Sequence, residues 1–120
     1  MPHEALVYIA YGFLVLSGTL HFAIDVVSQY LRHKRAPGPE TTLYFGLNTA
    51  YALGQILFGV LALLVARRAL PILSSWPAVT LSVVAGVCWL AFSFVYLEDR
   101  EPRFIMGNFL ALLLAAVLTG

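Results

Sequence analysis

Residues 42–66, TLYFGLNTAYALGQILFGVLALLVA, run for 25 positions without one charged side chain. At 1.5 Å per residue such a helix is about 37 Å long, enough to cross the roughly 30 Å hydrocarbon core of a bilayer. Its apolar residues do not alternate, as they would in a barrel strand. Every backbone group in lipid must be bonded internally, so the segment reads as a transmembrane helix.

The same reading extends outward in both directions. Upstream, Ala36-Pro37-Gly38-Pro39-Glu40 forms a breaker, and the basic run Arg32-His33-Lys34-Arg35 closes an apolar stretch from about Ala5 to Leu31. Downstream, Arg67-Arg68 ends the second stretch, and a third runs from about Trp76 to Leu97. The charged turn Glu98-Asp99-Arg100-Glu101-Pro102-Arg103 then leads into a short fourth, Phe104 to Thr119. The expected fold is an all-α membrane protein. It is a four-transmembrane-helix bundle of up-down topology with short loops, one transmembrane domain over residues 1–120.

Composition agrees. The chain is 61% hydrophobic and 11% charged, with a mean hydropathy of +0.87, whereas a soluble domain carries about 25% charged residues. A net charge of +1 offers no field for nucleic acid. The single cysteine, Cys88, excludes an internal disulfide and is expected as a small buried hydrophobe. Met1-Pro2-His3-Glu4 lacks the basic start of a secretory signal, so the first helix is expected to stay.

Loops 32–41 and 98–103 hold Arg32, Lys34, Arg35, Arg100 and Arg103, against Arg67 and Arg68 on the other side. Five against two puts those loops in the cytoplasm and both termini outside, with a bacterial cytoplasmic membrane as the expected home. Tyr8, Tyr11 and Trp76 are expected at the outer interface, and Tyr30, Tyr44, Tyr96 and Phe104 at the inner one. Stripes of small residues four apart predict helix contacts: Gly46, Ala50 and Gly54; Ala78, Ser82 and Gly86; Gly107, Ala111 and Ala115.

The first helix also carries a polar face. Ser17, His21, Asp25, Ser28 or Gln29, and Arg32 recur at three- or four-residue steps, and Tyr44, Asn48, Tyr51 and Gln55 answer on the second. Counting depth from the loops adds Ser93 and Asn108 to the layer of Asp25 and Asn48. The candidate site is therefore a polar pocket of His21, Asp25, Asn48, Tyr51, Gln55, Ser93 and Asn108, open toward the cytoplasm. Ionisable residues within a span are costly and mark function by default, and a His–Asp pair can carry a proton or bind a polar ligand. The alternative is that the pair only fixes helix register.

Three functions fit: a pocket that binds or conducts a small solute or proton, an accessory subunit of a larger respiratory or transport complex, or a membrane enzyme or redox subunit acting on lipid or quinone. The first predicts that His21 and Asp25 face inward on a cavity reaching the cytoplasm, the second that the small-residue faces dock on a foreign helix, and the third a lateral opening between helices at the depth of His21. No phosphate loop, metal-ligand cluster or nucleophile–base pair is visible, so no cofactor, metal or catalytic residue is assigned. The expected partners are the lipid bilayer and either further copies of the chain or a partner membrane subunit, with no nucleic acid.

Overall fold

The computed structural model describes residues 2–97 and 99–120; Met1, and Glu98 of the charged turn, lie outside them. The described residues form no strand, and four helices are long and apolar enough to cross a membrane: Pro2–Leu31, Pro39–Leu73, Trp76–Tyr96 and Glu101–Thr119. Each carries proline in its first turn, namely Pro2, Pro39, Pro77 and Pro102. The missing N–H costs nothing there, because the first N–H groups of a helix have no intrahelical acceptor. Pro39 of the expected breaker thus starts the second helix, and the second and fourth begin earlier than their apolar runs.

The second helix also continues beyond Arg67-Arg68 to Leu73. Its backbone leaves helical geometry at Ala69 (φ −156°, ψ 65°), two residues before Pro71. A proline ring inside a helix clashes with the carbonyl four residues back and withholds one hydrogen bond, so a bend marks this point. The first helix ends differently. His33 adopts a left-handed φ of 52°, and the Lys34 N–H returns to the Gln29 carbonyl at 3.2 Å, the closing bond of a Schellman motif.

The first helix packs along most of its length on the second and also on the fourth, which in turn packs on the third. Contact between second and third is slighter, carried by rings: Tyr51 stacks on Phe92 with centroids 5.3 Å apart, and Phe58 meets Trp89 edge-on at 5.6 Å. At one end His3 bonds the Ala116 carbonyl (2.7 Å) and Ser74 Oγ (2.8 Å), gathering the start of the first helix with the ends of the second and fourth.

Close approach between first and second helices rests on two glycines. A Cβ on Gly18 would lie 2.9 Å from the Ala52 carbonyl oxygen, and one on Gly59 would lie 3.0 Å from that of Tyr11. Only glycine lets these backbones come so near. Ala52, Ala62 and Ala66 complete the buried side of the second helix. The stripe of Gly46 and Ala50 instead faces away from the bundle, with nothing within 4 Å of where a Gly46 Cβ would stand; only Gly54 touches Trp89. Gly107 and Ala111 likewise miss the packing face, whereas Ser82 and Gly86 of the third helix are buried. Docking followed the bulky partners: Leu110 and Phe109 fill the space over Gly86.

The exterior is apolar, and polar groups lie within a mostly apolar interior. Ser17, Asn48, Gln55, Ser82 and Ser93 are buried, while Leu16, Leu43, Leu57, Leu64, Val84 and many like them are exposed. Tyr11 is not an interfacial ring; it is buried and its hydroxyl meets Ser82 Oγ at 2.6 Å. Cys88 is exposed, contrary to its expected burial, because the third helix turns its Ser82–Gly86–Ser93 side inward.

Candidate functional site

The polar faces of the first two helices meet rung by rung. Ser17 Oγ donates to the Gln55 Oε1 (3.1 Å), His21 Nε2 lies 2.8 Å from Asn48 Oδ1, and Gln29 Nε2 donates to the Tyr44 hydroxyl (2.8 Å). Residue numbers fall on one helix as they rise on the other, which is the register of antiparallel neighbours. Beyond the last rung, Arg35 donates to Gln29 Oε1 (3.1 Å) and lays its guanidinium 3.4 Å from the centre of the Tyr44 ring, a cation–π contact.

His21 is the hub. Its Nδ1 lies 3.0 Å from Asp25 Oδ2, and its ring meets Tyr51 edge-on with centroids 5.0 Å apart. The hydrogen-bond network fixes the tautomer. Asn48 Nδ2 donates to the Tyr44 carbonyl at 2.8 Å, so its Oδ1 is the atom facing His21 and Nε2 must carry a proton. Pairing of His21 with Asp25 lowers the cost of placing two ionisable groups away from water.

Asp25 sits in a π-helical segment, Phe22–Ser28, that interrupts the expected regular helix. Hydrogen bonds from i to i+5 widen this turn, and such segments concentrate at functional sites. None of its residues is buried.

Two hollows share His21. The larger, about 460 Å³, lies between the first and fourth helices. Its apolar wall is Phe13, Leu16, Leu20, Ile24 and Ile105; its polar wall is Ser17, His21, Asp25, Asp99 and Glu101. Leu16, Leu20 and Ile24 are exposed, so the hollow opens sideways. The smaller, about 110 Å³, runs toward the loops past Gln29, Arg35, Tyr44, Asn48 and Tyr96, with room for several waters. Asp99 and Pro102 also border both.

Of the seven residues expected in the pocket, His21, Asp25, Asn48, Tyr51 and Gln55 stand together through the contacts above. Tyr51 and Gln55 are buried one turn apart, and the Tyr51 hydroxyl and Gln55 Nε2 meet no hydrogen-bond partner among the described residues. Ser93 is buried but donates to Leu90 of its own helix (2.7 Å). Asn108 is exposed on the outside of the fourth helix and belongs to no cluster. Its expected place in the Asp25 layer fails in depth as well as rotation: the adjacent Phe109 packs on Tyr11, about four turns from Asp25, and Met106, Phe109 and Leu113 claim the inward side. Sequence reasoning missed Glu101, Asp99 and the leucine ridge of the first helix. Loops 32–41 and 98–103 had been placed at one end, which was the available signal for the acids. Neither a protein family, a curated protein nor a solved structure matches the chain, so the site rests on its own geometry.

Proposed function

We propose that this is an integral membrane protein, four spans running up and down, which binds a small solute in the cavity between its first and fourth helices. Inward serines and amides beneath an apolar outer surface support the membrane reading. Five basic residues against two support cytoplasmic loops 32–41 and 98–103, with both termini outside. The observation carrying the function is the hollow of about 460 Å³ with His21 and Asp25 on its wall. That volume lies within the range of small-molecule sites, and a mostly apolar lining with few convergent polar groups is their usual chemistry. His21, held by Asn48, orients Asp25, and the neighbouring polar hollow gives the pair access to water. The sideways opening favours a ligand that arrives from the lipid rather than from solution.

The test is purification from native membranes in mild detergent, followed by native mass spectrometry. A small molecule is expected on the chain and should be absent from Leu20→Trp, which fills the hollow. Recovery of a stoichiometric foreign protein, with no small molecule in either form, would instead make the chain an accessory subunit.

A further inference from the structure

We infer that the ligand is an amphipathic cation, an ammonium-type head on an apolar body; this rests on the binding reading above and names its ligand class. The hollow extends along the first helix from Phe13 to Asp25, about 18 Å at helical rise. Its apolar ridge of Leu16, Leu20 and Ile24 faces Ile105, and its polar end carries the carboxylates of Asp25 and Glu101. No lysine or arginine lines it. The nearby guanidiniums are turned elsewhere, Arg103 onto the Phe94 ring at 4.5 Å and Arg35 onto Tyr44. Behind the wall, Gln55 and Tyr51 are more than nine-tenths buried and each keeps an unpartnered polar atom.

Charge decides the class. A carboxylate beside apolar surface gains most from a charge-assisted donor, and an anionic head would face three acids, Asp25, Asp99 and Glu101, against which the described lining residues set only His21, 3.0 Å from Asp25. The apolar ridge excludes a small hydrated cation, which would lose its water to leucine side chains. The ammonium can come from a zwitterionic lipid or from a free lipophilic amine.

The experiment uses the full chain in a neutral maltoside detergent and two probes of one shape and opposite charge, tetraphenylphosphonium and tetraphenylborate. Tetraphenylphosphonium is expected to bind once per hollow and tetraphenylborate not at all. Asp25→Asn and Glu101→Gln should each weaken binding about ten-fold, and Leu20→Trp should abolish it. Glu101 is exposed, so its variant keeps the test open if Asp25→Asn misfolds. Displacement by phosphatidylethanolamine but not phosphatidylglycerol would identify a lipid headgroup as the source; no displacement by either would identify a free amine. If tetraphenylborate binds equally, or both carboxylate variants bind unchanged while Leu20→Trp still blocks, the cation class is overturned and the cavity stands. If Leu20→Trp leaves all binding unchanged, the cavity reading falls as well.

Discussion

The two halves of the first helix do different work. From Val7 to Leu14 it is packed against Ala62, Ala66, Phe109, Leu113 and Ala116 in an apolar core linked by Tyr11 to Ser82, with a hollow of about 200 Å³ beside Val7 and Tyr11. From Ser17 to Gln29 it meets its neighbours through side-chain amides, an imidazole and hydroxyls, and two hollows flank it. Gly18 sits at the junction and brings the second helix close enough for both arrangements. The lesson is that one helix can be held by shape in one half and by hydrogen bonds in the other. The largest of the hollows along this helix, about 460 Å³, lies beside the second arrangement.

The largest effect should come from the apolar half. Phe109 is fully buried, touching Tyr11 and Trp89 rings at 5.9 and 6.5 Å. Phe109→Ala is expected to cost about 3–5 kcal/mol, through lost contacts and the cavity left behind. Reversible unfolding in mixed micelles measures it, and a loss below 1 kcal/mol would mean the core is not close packing at all.

A matched pair of polar deletions sharpens the contrast. Tyr11→Phe strands the buried Ser82 hydroxyl, which lines none of these hollows, and should cost about 1 kcal/mol. Asn48→Ala should cost less, because water in the adjoining hollow can take the His21 proton's hydrogen bond. The same unfolding assay ranks them, and the reverse order would make the polar half the stiffer one.

The smallest effect lies at the end of the polar half. His33 pays for a left-handed φ without a ligand role, so His33→Gly should stabilise by roughly 0.5–1 kcal/mol. A small rise in melting temperature, with tetraphenylphosphonium binding unchanged, is the expected result.

Much of this was legible in the chain. Apolar length located the four helices, because lipid permits few alternatives to a hydrogen-bonded helix. The 3.6-residue period brought Ser17, His21 and Asp25 to one face and Asn48, Tyr51 and Gln55 to the face that meets it. Pro39 was misread as part of a break because a proline stops a helix in its interior and starts one in its first turn, and the letter alone does not say which. The widened turn around Asp25 had no signal in glycine or proline.

What the sequence determined by itself was the shared face within one helix: Ser17, His21 and Asp25 lie on one side because of the 3.6-residue period. What only the tertiary structure decided was how the helices align and rotate against one another. Asn108 points outward beside Phe109, which packs on Tyr11 and not near Asp25, and Gly46 and Ala50 form a stripe that docks on nothing. Rotation about each axis is set by how Phe109, Met106 and Trp89 pack between helices, and such interlocking is a property of all four helices at once.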